Sequence, residues 1–150
     1  MNKIEAIVRK AEETDWKPFW DLLHARGAAD DEVSAKQRFI TYISRPDHFL
    51  PIALLEDRTV GYGWAQDYGP HLRTGKRLHR FHDLFVLEEF RKKGIAAAIF
   101  HEIQEWSMMN GAAWLQWNAN PSSTSFYKRL GFEPIPEEEE GFPFFEIDFT

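Results

Sequence analysis

The sequence predicts one α/β domain spanning residues 1–150, and three observations carry that prediction. Segments with strand-like and helix-like periodicity follow one another in the order β-α-α-β-β-β-α-β-α-β-β, with no internal repeat and no linker. The run Leu84-Phe85-Val86-Leu87 is continuously apolar, as a strand covered on both faces requires, and Ile95, Ile99, Ile103 and Trp106 then recur at helical spacing. The chain has 150 residues, 43% of them hydrophobic, which is enough for one domain with a real core.

Taken in order, Ile4 to Arg9 alternates apolar and polar residues and reads as a short strand. Thr14 or Asp15 can cap a helix carrying Trp16, Phe19, Trp20, Leu22 and Leu23, which Gly27 ends. Asp30 or Asp31 opens a second helix with Val33, Phe39, Ile40 and Ile43 on one face, closed at Arg45-Pro46. Phe49 to Leu55 and Val60 to Gln66 form a hairpin, Asp67 to Lys76 a loop, and Leu78 to Val86 the central strand. The helix after it stops at Asn110-Gly111, and Ala113 to Trp117 is another strand. A short helix runs from Ser122 or Ser123 to Leu130, and Phe132–Ile135 and Phe142–Phe149 are expected as a final pair of strands.

Composition excludes several classes. The absence of Cys removes disulfides, thiol nucleophiles and thiolate metal sites. A formal net charge of -6 argues against a nucleic-acid partner, whose phosphates demand clustered Lys and Arg. The same charge is compatible with a cationic substrate such as an amine, and equally with a mildly acidic solvated surface. The sequence shows no apolar run of membrane-spanning length and no leader pattern, so a soluble cytoplasmic protein is expected.

The stretch with the clearest chemistry is the junction between the central strand and the helix after it. The backbone amides of Arg91, Lys92, Lys93, Gly94, Ile95, Ala96 and Ala97 can converge at the positive end of a helix, where an anion is stabilised and phosphate is the common occupant. Gly94, lacking a Cβ, lets a ligand approach closely. Read alone, this junction could hold any nucleotide, and the basic triplet could be simply a solvated turn.

Two motifs give the junction a family. Arg91-Lys92-Lys93-Gly94-Ile95-Ala96 matches the Gln/Arg-x-x-Gly-x-Gly/Ala signature of the GNAT N-acetyltransferases. Asn120-Pro121-Ser122-Ser123-Thr124-Ser125-Phe126-Tyr127-Lys128-Arg129-Leu130-Gly131-Phe132 resembles that family's second motif, an Asn followed by an aromatic-Tyr pair and Leu-Gly-Phe. The stretch Phe81-His82-Asp83-Leu84-Phe85-Val86 is further similar to the central strand of the family's polyamine acetyltransferases, with His82 replacing one acid and Asp83 retaining the other.

The resemblance implies a mixed, twisted sheet of six to seven strands with helices on both faces, splayed between Leu78–Val86 and Ala113–Trp117. Acetyl-CoA would lie in the splay, its pyrophosphate on the amides of Arg91 to Ala97 and its pantetheine arm along Leu84, Phe85 and Val86. Asn120 would bond that arm and Ser123 would flank it; on local grounds the two equally well cap a turn. The implied reaction is direct acetyl transfer to a primary amine of a small molecule or peptide, without a covalent enzyme intermediate and without a metal. The competing class is a module that binds acetyl-CoA or another acyl-CoA without turnover.

Acetyl transfer needs a neutral amine and a proton for the leaving thiolate. Tyr127 matches the family's general acid; without the motif, Phe126-Tyr127 would read as packing aromatics. His82 and Asp83 are the candidate bases. Neighbouring strand residues face opposite ways, so only one would line the site unless a bulge intervenes. Against these roles stand an Asp83 ion pair with Arg80 or Arg91 and an inner, satisfied His82.

Other signals carry less. His79 and His82 sit three apart on a strand and project to opposite faces, so they do not pair on a metal. His101-Glu102 lacks the second His of a zinc motif, since Glu105 stands in its place. Glu137 to Glu140 reads as a solvated turn, and Trp64, Trp114 and Trp117 read as core, with Trp64 nearest the acceptor side. By analogy with dimeric family members, Phe142 to Phe145 could bury against a second subunit.

Overall fold

The computed structural model describes residues 5–135 and 145–150. The chain divides into two compact units, residues 1–118 and 119–150, taken here in turn. In the first, β1 (Ile7–Lys10) leads through a 3-10 turn into α1 (Trp16–Arg26), and α2 (Glu32–Ile43) follows. Then come β2 (His48–Phe49), β3 (Pro51–Leu55), β4 (Arg58–Pro70), β5 (Arg77–Val86), α3 (Ile95–Met109) and β6 (Ala112–Gln116). The six strands form one sheet in the order β1-β3-β4-β5-β6, with β2 against β4. All pairings are antiparallel except β5 with β6. The mixed α/β class expected from the sequence is what the chain forms, with six strands among the described residues.

Local chemistry accounts for most boundaries. Asp15 accepts two bonds from the Arg9 guanidinium at 2.8 and 2.9 Å and one from the Glu12 amide at 2.7 Å, tying β1 to the start of α1. That charge-assisted pair also holds the Asp15 carboxyl below its ordinary pKa. Asp31 caps α2 by accepting from Ser34 N at 2.8 Å. Glu56 and Asp57 join β3 to β4 in a two-residue turn with both φ angles positive, 49° and 63°, the backbone twist such a hairpin prefers.

Helices cover both faces of the sheet. On one, Phe19 of α1 packs on Tyr62 with ring centroids 5.0 Å apart, and Tyr42 of α2 stacks on Trp64 at 5.6 Å. On the other, Phe100 of α3 meets Phe81, and Ile99 and Ile103 are fully buried. Gly61 and Gly63 open this second face to α3: a Cβ on Gly63 would lie 2.8 Å from Ile103 Cδ1, and one on Gly61 would lie 2.9 Å from the Phe85 carbonyl oxygen.

The structure corrects four expectations. The strand expected over Phe49–Leu55 is two strands, β2 and β3, with Leu50 between them. The loop expected over Asp67–Lys76 is shorter, because β4 continues to Pro70, which pairs with Arg77. Asp67 secures that extension through Arg77 Nη1 at 2.7 Å, a partner that propensity alone does not reveal. Trp114 is 44% exposed rather than core; it lies on an edge strand, with the Lys76 ammonium 5.5 Å from its ring.

The second unit contains α4 (Thr124–Arg129), which turns at Gly131. The fourth correction falls here: residues 132–135 and 145–150 form no strand, and residues 136–144 of the expected pair lie outside the described residues. Alternation says which residues would share a face, but a strand also needs a neighbour to pair with. The expected Phe142–Phe145 subunit contact and the Glu137–Glu140 turn lie largely or wholly outside the described residues.

Candidate functional site

The site is organised by where β5 stops pairing. Toward β6, β5 is matched only from Arg77 to Arg80, with Ala112 and Trp114 to Gln116 as partners. From Phe81 to Val86 that edge is unpaired by β6, so the sheet opens at the place the sequence indicates. Arg80 sits where the edges part and bonds the Asn118 side-chain carbonyl. Phe81 and Phe100 pack on Trp117, at 4.8 and 5.4 Å, and fill the α3 side of the gap.

A bulge decides which side chains face the opening from the α1/α2 side. Trp64 is opposite Asp83 and Ala65 is opposite Phe81, so His82 has no partner in the register. The extra residue shifts the alternation. Phe81 faces α3, whereas His82 and Asp83 both face α1 and α2, as their partners show. His82 lies 4.4 Å from the Trp64 ring, and Asp83 accepts from Tyr62 Oη at 2.7 Å. Two adjacent polar residues thus share a face that unbroken alternation would have divided between them.

The two candidate bases differ in their surroundings. His82 is exposed, with Nε2 3.1 Å from Gln66 Oε1 and 3.2 Å from Tyr68 Oη. Partial desolvation is the main influence lowering its pKa below the ordinary imidazole range; Arg80 and His48 push the same way, and Asp83 pushes back. The ring is therefore held neutral and able to accept a proton near pH 7. Asp83 is engaged by Tyr62 and by Arg26 Nε at 3.3 Å. It does hold an ion pair, but with Arg26 of α1 and not with Arg80 or Arg91. Burial, reinforced by the Asp83 charge, pushes the Tyr62 phenol far above its usual pKa, so it remains a donor to that carboxylate.

Behind His82 lies an aromatic stack. Trp64 Nε1 donates to His48 Nδ1 at 3.1 Å, and Tyr42 lies flat on His48 at 4.1 Å. Burial lowers the His48 pKa, consistent with a ring nitrogen that accepts this bond. Trp64 is thus a structural wall of the acceptor side. No motif in the sequence marks Arg26, Tyr62, Gln66 or Tyr68. The period-two series Tyr62, Trp64, Gln66, Tyr68 on β4 was the available signal for the last three.

The segment expected as an anion cradle is the junction between β5 and α3. After a short 3-10 turn over Glu88–Phe90, Lys92 and Gly94 take positive φ angles of 63° and 81°, and the first amide to donate back along α3 is Ala98 N, to Gly94 O at 3.1 Å. The amides of Ile95, Ala96 and Ala97 precede that ladder, as the first turn of any helix requires. A Cβ at Gly94 would meet nothing within 4 Å, so the space above it is open. Arg91 folds back, donating Nε to Val86 O at 2.9 Å with its guanidinium 5.6 Å from the Phe85 ring. It braces the strand end against the cradle. Leu84, Phe85 and Val86 form the last part of the open edge, held on the other side by Gly63, Tyr62 and Gly61 of β4.

In the second unit, Asn120 Oδ1 accepts from Ser123 N at 2.9 Å and from Ser122 Oγ at 2.7 Å, and Ser123 Oγ accepts from Asn120 N at 3.1 Å. These bonds give both residues the turn-capping role that local chemistry allowed. Tyr127 is buried on α4, and that burial raises its phenol to about 12, keeping the proton in place at neutral pH. Among the described residues no group of three or more His, Cys, Asp or Glu could hold a metal. Among the same residues no helix is long and apolar enough to cross a membrane.

A family profile described as an acetyltransferase (GNAT) domain matches residues 24–147. Among solved structures, an aminoglycoside N-acetyltransferase in complex with CoA is similar at 17% identity and a TM-score of 0.80, over 97% of each chain. A glucosamine-6-phosphate N-acetyltransferase from Arabidopsis thaliana is similar at 18% identity and 0.77, over 92% of this chain and 98% of that one. An aminoglycoside antibiotic 6'-N-acetyltransferase from Acinetobacter baumannii is similar at 16% identity and 0.76, over 97% and 100%. No curated protein sequence matches the chain.

Proposed function

The chain belongs to the GNAT acetyltransferase family, and from that premise we propose that it transfers an acetyl group from acetyl-CoA directly to a primary amine of a small molecule or peptide. The observation that carries this reading is the bulge, which puts His82 on the α1 and α2 face of the sheet beside the open edge of β5. A domain that only bound the cofactor would have no use for a neutral, exposed imidazole there.

The residues present fit acetyl-CoA. The amides from Arg91 to Ala97 would hold the pyrophosphate at the start of α3, with Lys92 and Lys93 adding charge. Leu84, Phe85 and Val86 would align the pantetheine arm as an added strand does. Asn120 and Ser123 would lie along that arm while capping their turn. When bound, acetyl-CoA supplies a thioester carbonyl open to a nucleophilic nitrogen.

In this reading His82 would take the proton released as the amine nitrogen forms its bond to the acyl carbon. Tyr127 matches the family's general acid, and in that role its Oη would give a proton to the CoA thiolate as the carbon–sulfur bond breaks; solvent exchange would return both side chains to their starting states. Asp83, held by Tyr62 and Arg26, would favour the protonated ring on His82, since its charge raises that ring's pKa. The products are the acetylated amine and CoA.

Release of CoA thiol is measured with acetyl-CoA and a mixed panel of primary amines, with cofactor binding followed by calorimetry. Turnover on at least one amine is expected. Gly94→Asp, which places a carboxylate in the cradle at a left-handed residue, should abolish cofactor binding, whereas Lys92→Ala should weaken it only severalfold. Tight binding without turnover on any amine would replace this reading with that of an acyl-CoA-binding module.

A further inference from the structure

We propose that Gln66 is a positioning residue that sets the tautomer of His82, keeping hydrogen on Nε2 and leaving Nδ1 as the basic nitrogen. The inference rests on His82 being the base, and on four features of its surroundings. Gln66 Oε1 lies 3.1 Å from His82 Nε2, and an amide oxygen can only accept. With the amide oxygen facing the ring, it is the Nε2–H form that makes this hydrogen bond. The Tyr68 hydroxyl, 3.2 Å from the same nitrogen, can donate or accept and so adapts to whichever form Gln66 imposes. Contact with Trp64 at an interplanar angle of 46° limits rotation of the imidazole, and the bulge fixes where the ring leaves the backbone. Among the described residues, no hydrogen bond occupies His82 Nδ1.

This matters because a neutral imidazole can receive a proton only at the nitrogen that lacks one. A ring free to exchange tautomers would present the wrong nitrogen part of the time. The charged and titratable groups around it do not impose the choice. Arg80 and Asp83 flank it on β5, His48 lies behind Trp64 on β2, and Arg26 of α1 is already paired with Asp83. From β4 Gln66 and Tyr68 reach Nε2, and of the two atoms that face it only the Gln66 amide oxygen is unable to donate.

The test uses the full chain labelled with 15N-histidine, the His82 signals being identified by their loss in His82→Ala. Long-range 1H–15N correlation should show the Nε2–H tautomer in the wild type, a mixture in Gln66→Leu, and recovery of Nε2–H in Gln66→Glu. In kinetics, Gln66→Leu should lower kcat about tenfold with KM little changed. Gln66→Glu should move the acidic limb of the kcat/KM profile up by about one pH unit, because a carboxylate stabilises the imidazolium. A wild-type ring protonated at Nδ1, or a Gln66→Leu ring whose tautomer is unchanged, would overturn the proposal. Loss of the Nε2–H preference in Gln66→Leu, with His82→Ala fully active, would uphold the tautomer control and remove the base assignment instead.

Discussion

His79 and His82 stand three residues apart on one strand, and the sheet gives them opposite lives. His79 is wholly buried against α3, its ring 4.6 Å from Trp106 and its Nδ1 2.9 Å from Ser107 Oγ. Its Nε2 lies 3.3 Å from the Asp67 carboxylate, out of alignment for a hydrogen bond. Desolvation lowers its pKa, against the pull of Asp67. His82 is exposed on the opposite face, hydrogen-bonded through one nitrogen, with the other open. Both rings are held neutral; of the two, only His82 is open to solvent. A lowered histidine pKa therefore does not mark a catalytic base until the side chain's face and exposure are known.

Exchanging the two losses is the sharpest way to test that contrast. His79→Ala removes a fully buried ring and should cost about 3 kcal/mol of unfolding free energy in denaturant titration, with kcat per folded molecule unchanged. His82→Ala should lower kcat about 100-fold, near the bottom of the range for a general base, with a stability change within about 0.5 kcal/mol. A reversed pattern would mean that the two rings had been assigned the wrong roles.

A smaller effect is expected where the two faces meet. Gly61→Ala drives a Cβ toward the Phe85 carbonyl oxygen, which can yield only if β4 and β5 shift, and should cost about 2 kcal/mol. Because Phe85 and Val86 form the proposed pantetheine edge, acetyl-CoA affinity should fall with it. Unchanged affinity would place the cofactor arm elsewhere.

The smallest effect is the pH dependence of stability. With the folded His79 pKa below the unfolded value of about 6.5, the unfolded chain binds more protons between the two. Stability should be full above about pH 6.5 and decline as the pH falls below it, until the folded pKa is reached. His48 has the same sign and adds a parallel slope. The His79→Leu variant should thus show a shallower slope in thermal unfolding at several pH values; an identical slope would mean that His79 does not titrate on unfolding.

The legible parts of this protein are those set by neighbours in the chain. Asp31 caps α2, Gly27 ends α1, and Gly94 takes its left-handed turn before α3, because capping bonds and φ restrictions act over a few residues. The capping side of Asn120 and Ser123 was readable for the same reason. What the tertiary structure alone decided depends on segments far apart in sequence. The register of β4 against β5 creates the bulge that brings His82 and Asp83 onto one face, and α1 delivers Arg26 to Asp83. Edge position leaves Trp114 exposed despite its aromatic bulk. Side-chain periodicity describes a strand one residue at a time, but a one-residue bulge reverses every assignment beyond it, and only pairing with another strand determines where that reversal falls.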